Sequence, residues 1–457
     1  MKNLLRLVVV LFTSAIFAQA GHVMQGVGAV NMSMGGAATA QPLDISGALQ
    51  WNPASISVFD SKILDFNIGI FFSSPELSSS LPAGAMGPGS PAVSGTTLDT
   101  RPVSPMPALA MVWGKEGSKH TFGVSAFGIS GFGVTFPEEA NNPLSSSFNP
   151  TINSNPINYP QAAHGFGQLK SDYMLLQVGL TWAYEITDNF SIGVEPTVNY
   201  ASLQLEPNPI ASPDFTPPAG APGDKGYPIS DKASAIGFGA QFGLFYHSDS
   251  GVKLGVSYKT EQQFGDLTFN NKYLDGSAAP DVNFKMNYPA IFSVGLGYSN
   301  ETFDLALDYR NVDYENADGF AEKGWTNTGS VKGFGWKNIN ILSAGIQYKG
   351  IKKLPLRVGY TYSSNPIDPQ LAFFSTPATA VIKNAFQFGF SYPLTDNLML
   401  NGVYHHGTSG KNDTSGPLLN PGMASPTNPY GAIPGSNVSY SMKTDLIMVG
   451  VTYKFKK

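Results

Sequence analysis

Cysteine is absent from all 457 residues, so neither disulfides nor thiol chemistry can contribute. Charge is also scarce. Asp, Glu, Lys and Arg make up 13% of the chain, and a net charge of −5 leaves no basic footprint for nucleic acid. Beyond the first twenty residues no apolar run approaches the roughly 18 residues that a membrane helix requires. The signatures G-x-S-x-G, H-E-x-x-H and the phosphate loop ending in Gly-Lys-Ser/Thr are missing. Six histidines (His22, His120, His164, His247, His405 and His406) are scattered, and the adjacent last pair would point to opposite faces of a strand. These absences argue against an enzyme and against a bound metal or cofactor.

Glycine (50 residues), proline (34) and aromatics (12%) are plentiful, as expected of many strands and turns. One phrase recurs: an apolar residue, Gly, an apolar residue, any residue, then an aromatic. It appears as LGVSY ending at Tyr258, VGLGY at Tyr298, AGIQY at Tyr348, VGYTY at Tyr362, FGFSY at Tyr392 and VGVTY at Tyr453. Strands of this kind present Val, Leu and Phe to lipid tails, place Tyr at the interface and turn Gly, Ser, Gln and Lys inward. Phe303, Leu305, Leu307 and Tyr309 alternate with Asp304, Ala306, Asp308 and Arg310, while Phe386, Phe388, Phe390 and Tyr392 alternate with Gln387, Gly389 and Ser391. A charge on the lipid face would cost about 2–4 kcal/mol at mid-bilayer, so the charged set belongs to the lumen.

The expected fold is therefore all-β, a transmembrane antiparallel β-barrel of about fourteen strands. They are read near 62–74, 105–115, 120–138, 171–187, 190–206, 233–248, 252–270, 282–299, 302–314, 336–349, 354–364, 384–394, 398–408 and 441–455. Short turns at 115–119, 186–189, 248–251, 299–301, 350–353 and 394–397 alternate with long loops such as 73–104, 141–170, 207–228 and 410–439. The short set marks the periplasmic rim and the long set the outside. Lys2 and Arg6 before an apolar run, followed by Ala18-Gln19-Ala20, read as a signal peptide over residues 1–20. A barrel would then occupy 61–457, with both termini periplasmic.

Residues 21–60, rich in Gly, Ala and Met, do not read as wall and are compact enough to plug a lumen. Gly26-x-Gly28, then Met34-Gly35-Gly36-Ala37, then Asn52-Pro53-Ala54 resemble the hatch of the FadL/TodX family of outer-membrane transporters for long-chain fatty acids and aromatic hydrocarbons. The Tyr288-Pro289-Ala290 step, the stretch from Arg357 to Pro369 and the Gly450-x-x-Tyr453-x-Phe455 terminus are similar to family features too. Two points differ: the chain ends in Lys456-Lys457, where the family often ends on an aromatic, and the hatch begins Gly21-His22-Val23-Met24.

The resemblance implies passive uptake of a hydrophobic small molecule by a monomer in outer-membrane lipid. Gly35, Gly36, Asn52, Pro53 and Ala54 are the expected gating residues. The segment from His120 to Glu139 carries four glycines that weaken a ladder and permit a bulge, and in the family this strand is kinked and opens the wall. Phe127, Gly128, Ile129, Ser130 and Gly131 are therefore the expected lateral opening. With alternation unbroken, Phe132, Val134 and Phe136 would face lipid together with Phe122 and Val124. An apolar pocket is expected from Met24, Val27, Met32 and Met34 with Phe71, Phe127 and Ile129. The inward cations Lys253, Arg310 and Arg357 are candidates for a carboxylate head group. A general porin without a plug, and a barrel serving as a protein partner in a secretion machine, are the competing functions.

Overall fold

The structure is a computed structural model that describes residues 19–215, 225–410 and 414–456. The expected signal peptide lies outside the described residues, apart from the backbone of its last two. Fourteen strands form the wall: β1 (Lys62–Leu81), β2 (Ser104–Trp113), β3 (His120–Phe136), β4 (Leu169–Thr187), β5 (Phe190–Glu206), β6 (Ala233–His247) and β7 (Val252–Lys259). The second half comprises β8 (Ala290–Ser299), β9 (Phe303–Asp313), β10 (Ile339–Tyr348), β11 (Leu356–Ser363), β12 (Asn384–Pro393), β13 (Leu398–Thr408) and β14 (Asn437–Lys454). Each pairs antiparallel with its sequence neighbours. β14 closes the ring on β1 from Asn437↔Ser80 to Lys454↔Ile63. Closure leaves no open edge, which is what hydrocarbon demands of a sheet.

The alternation holds along most of the wall. Leu305, Leu307 and Tyr309 are exposed on the outer face, while Asp304, Asp308 and Arg310 are buried within. An aromatic girdle with Trp113, Trp182, Tyr246, Tyr298, Tyr348, Tyr392 and Tyr453 marks the rim of short turns. At that rim the Phe455 amide donates to the Lys62 carbonyl (2.9 Å) and the Lys62 ammonium lies over the Phe455 ring.

Besides the run expected as a loop at 73–104, where β1 extends to Leu81 and Val93–Leu98 pairs back against it, two segments depart from the sequence expectation. The runs read as 252–270 and 282–299 do not stay in the wall to their outer ends. β7 stops at Lys259 and β8 starts at Ala290, while Leu267–Lys272 and Ala278–Phe284 pair with each other and with Ile229–Ser230 in a separate three-stranded sheet. The Asp275-Gly276 step between them, with Gly276 at φ 83°, supplies the left-handed residue that lets the two runs zip into their own hairpin. The second departure lies in β3. Its register against β4 slips between Gly128↔Leu176 and Ser130↔Leu175, leaving Ile129 as an extra residue. One extra residue reverses every later side chain. Phe132, Val134 and Phe136 therefore face inward, at 3% exposure or less.

Residues 21–57 are almost entirely buried inside the wall. They form a short strand at Val23–Met24, helices α1 (Ala29–Ser33) and α2 (Ile45–Trp51), and a 3₁₀ turn at Pro53–Val58. This N-terminal hatch plugs the lumen.

Candidate functional site

The hatch sits on glycines. A Cβ added to Gly255 would overlap the Thr39 carbonyl, one on Gly359 the Gly35 nitrogen, and one on Gly389 the Ser33 side chain. A Cβ on Gly345 would lie 2.5 Å from the Met34 oxygen, and one on Gly295 2.8 Å from the Ala40 nitrogen. These are the glycines of the repeated strand phrase, so the repeat encodes a seat as well as a wall: only a residue without a side chain lets two backbones approach this closely. Gly193 and Gly243 receive the turn at Asn52-Pro53-Ala54 in the same way.

Polar side chains then fasten what the glycines admit. Asp308 Oδ2 accepts from the Ala38 and Thr39 amides (2.9 Å each) and from Arg310 (2.6 Å). Arg310 also donates to the Gly36 carbonyl (2.7 Å) and lies 3.6 Å above the Trp51 ring. Thr361 donates to the Gly35 carbonyl (2.8 Å), and Asn67 accepts from the Ala29 amide (2.9 Å). Asn52 accepts from the Ala54 amide at 3.1 Å and donates to the carbonyls of Thr39 (2.8 Å) and Leu244 (3.0 Å), joining the hatch turn to β6. Gly35 and Gly36 hold φ of 69° and 76°, which turns their carbonyls toward the wall. A single bond of this set is worth about 0.5–1.5 kcal/mol. Thr361→Val is accordingly expected to speed hydrogen exchange at the Gly36 amide by roughly fivefold with the barrel intact; an unchanged rate would show that Thr361 does not hold the hatch.

The wall is incomplete at one place. The β2–β3 ladder ends at Ala108↔Phe127, although β2 continues against β1 up to Ser104↔Phe71. Above Phe127, β3 has the bulge at Ile129. Across from it β2 offers Pro105 and Pro107, which have no amide hydrogen to give. Contact resumes higher up, where the Thr100 amide donates to the Thr135 carbonyl (2.9 Å). The gap is filled from inside by the hatch's first residues. Val23 pairs with Ser130, whose hydroxyl donates to the His22 carbonyl (2.8 Å), as does the Gly131 amide (3.3 Å). Met24 packs in one apolar cluster with Met32, Phe71, Met106 of β2 and Met174 of β4.

On the outer side the loops enclose a cavity of about 260 Å³ lined by Leu81, Ile157, Phe166, Phe215, Trp325, Phe373 and Leu419, among others. Phe166 and Phe373 also line a narrow space of about 20 Å³ leading to Leu169, Val331 and Phe374. Deeper lies a packed aromatic cluster around His22, with the rings of Phe320, Tyr314, Tyr288, Trp336 and Tyr173 centred 4.5–6.0 Å away. Phe132, turned inward by the bulge, stacks on Tyr173 at 4.9 Å. His22 Nδ1 meets the Tyr314 hydroxyl at 2.6 Å, whereas His22 Nε2 and the Tyr173 hydroxyl find no partner. Burial pushes the imidazole down to about 3, which keeps it neutral. A different cavity of about 440 Å³ opens beneath the hatch, lined by Pro42, Val58, Phe59, Glu185, His247 and Lys253.

The residues singled out in the sequence divide among these places. Phe127, Gly128, Ile129, Ser130 and Gly131 border the wall gap. Met24, Met32 and Phe71 share one cluster, Val27 joins Phe127 and Ile129 in the main core, and Met34 lies apart with Ala37 and Ala306. The three cations do not converge. Arg310 is held by Asp308, Arg357 donates to Gln347 and Ser391, and Lys253 lines the lower cavity, donating to Gln41 and Ser299. The aromatic cluster was not legible in the sequence, because its rings come from segments 22 to 336 with no shared spacing; only His22, at the start of the hatch, and Tyr288 stand in noted segments.

Residues 155–455 match the family model described as outer membrane protein transport protein (OMPP1/FadL/TodX). Among solved structures, the Pseudomonas putida toluene transporter TodX aligns at a TM-score of 0.63 with 17% identity, covering 96% of this chain and 100% of that one. A Pseudomonas aeruginosa FadL homologue aligns at 0.68 with 14% identity, covering 96% and 100%. The Ralstonia pickettii toluene transporter TbuX aligns at 0.59 with 17% identity, covering 94% and 99%. At these identities the likeness is one of fold. No curated protein sequence matches the chain.

Proposed function

Because the chain belongs to the outer membrane protein transport protein family (OMPP1/FadL/TodX), we propose that it admits hydrophobic small molecules through the outer membrane by a lateral route. The observation that carries this reading is the continuity of one apolar core from the outer cavity, past Phe373 and Val331, through the packed aromatic cluster to Phe127 and Ile129 at the wall gap. A straight descent meets the hatch instead, fastened by β1, β6, β9 and β11.

Ligand would collect in the outer cavity, pass inward and displace Val23 and Met24 from the gap. It would then leave between β2 and β3 into lipid without crossing water. Two hydrogen bonds accepted by the His22 carbonyl, from the Ser130 hydroxyl and the Gly131 amide, with the pairing of Val23 and the packing of Met24 hold the gap shut, far less than holds the rest of the hatch. Ligand shifts that equilibrium only by its preference for the open arrangement, and its own gradient drives the flux.

The test is uptake of a radiolabelled hydrophobic compound by cells that lack other channels of this kind and express this chain. Uptake that rises with the amount of assembled barrel is the expected result. Large steady ionic conductance without such uptake would instead favour a porin, and stable co-purification of a protein partner with an empty lumen would favour an interaction barrel.

A further inference from the structure

Among the described residues, the outer cavity, the narrow passage and the aromatic cluster offer an incoming head group no lysine or arginine without a partner. Among the described residues, no Lys, Arg, Asp or Glu lines the outer cavity. Lys170 borders the passage but is turned to Glu206 at 3.5 Å. Arg310 is committed through its Nη2 to Asp308 at 2.6 Å, with both side chains 1% exposed and only its Nε without a partner, and separating such a pair would strand a buried charge. Lys259, buried on β7, donates to Gln177 at 2.7 Å. A carboxylate travelling this path would shed its water and meet two uncharged polar atoms but no unpaired cation to balance its charge.

What the aromatic cluster does offer is two unpartnered hydrogen-bonding atoms, His22 Nε2 and the Tyr173 hydroxyl. Both residues are fully buried, their rings are centred 6.0 Å apart, and both atoms lack partners. A pure hydrocarbon would leave both unmet, whereas one hydroxyl or carbonyl oxygen beside them answers at least one.

Resting on the transport reading above, we propose that the channel selects uncharged, aromatic-sized molecules bearing a single oxygen, the phenol class, and turns away carboxylates. The outer cavity of about 260 Å³ suits a substituted ring. The Tyr173 hydroxyl is the specificity-determining group, with His22 as the second contact.

The test uses the barrel in lipid nanodiscs and calorimetry at neutral pH with three probes of one shape: para-propylphenol, propylbenzene and para-propylbenzoate, with heats from empty nanodiscs subtracted. The phenol should bind about five- to tenfold more tightly than the hydrocarbon, and the benzoate at least about a hundredfold more weakly than the phenol. In Tyr173→Phe the preference for phenol over hydrocarbon should shrink to about twofold or less. Benzoate binding as tightly as the phenol would overturn this inference and leave the transport reading standing, and so would a preference for phenol that survives Tyr173→Phe. Failure of all three probes to bind would overturn both. The comparison of probes on the unaltered chain needs no variant to fold.

Discussion

Gly359→Leu is expected to turn an electrically quiet barrel into one that conducts ions in large, steady steps. Gly359 is the glycine of the VGYTY phrase in β11, and any Cβ there overlaps the Gly35 nitrogen. Leucine fills that space with a branched side chain on the inner face, where neither the wall backbone nor the hatch loop can withdraw. The hatch cannot settle at Gly35 and Gly36, and the bonds from Thr361 and Arg310 to their carbonyls are lost together. The polar lumen of a fourteen-stranded wall then stands open to water. The wall itself is spared, because inward side chains do not enter the ladder. Heat-modifiable migration on a gel checks that the barrel has formed, and planar bilayer recording reads the conductance. Gly265→Ala is the matched control, since a Cβ there meets nothing within 4 Å. A quiet Gly359→Leu barrel with its hatch amides still protected would show that the glycine belt is not the seat.

Gly128→Phe combined with Gly131→Phe is expected to reduce uptake to the level of cells without the protein, again in a barrel that assembles. Both positions border the stretch where β2 and β3 do not pair. By the register of β3 both rings would stand on the lipid side, across the outer mouth of the gap that Val23 and Met24 close from within, and no ligand preference for an open state could displace a covalently attached cover. Binding in the outer cavity should persist, because its lining lies among the loops. Uptake at the unaltered rate would rule out the side door and leave only a path past the hatch.

The wall was legible because lipid imposes a period of two on its strands, so that alternation, the recurring glycine phrase and the short turns together placed fourteen strands, including β9 with its inward Asp304, Asp308 and Arg310. Alternation fails where the chain leaves the membrane. The outer ends of the runs at 252–270 and 282–299 keep an apolar face, but they spend it on each other across Asp275-Gly276. It fails again at Ile129, where the glycines of β3 announced a weak ladder but not the position of the extra residue. Phe132, Val134 and Phe136 therefore read as lipid-facing and are core.

The hatch was legible by composition and by its Asn52-Pro53-Ala54 turn. Its seat was written in the repeated glycine, which alternation alone assigns only to an inward face. The placement of Lys253 and Arg357 at the lower end follows from their nearness to the short turns at 248–251 and 350–353. What sequence could not supply was the company each cation keeps. Asp308 stands two residues from Arg310 on the same face, yet their joint grip on Gly36, Ala38 and Thr39 spans some 270 residues of chain.

The account turns on the path that ligand takes. Crystals soaked with a brominated phenol and measured at the bromine absorption edge would locate it directly. The expected anomalous peaks lie in the outer cavity, beside Tyr173, and between β2 and β3 near Ile129. Bromine between the hatch and the glycine belt, or in the cavity beneath the hatch at Lys253, would contradict the lateral route.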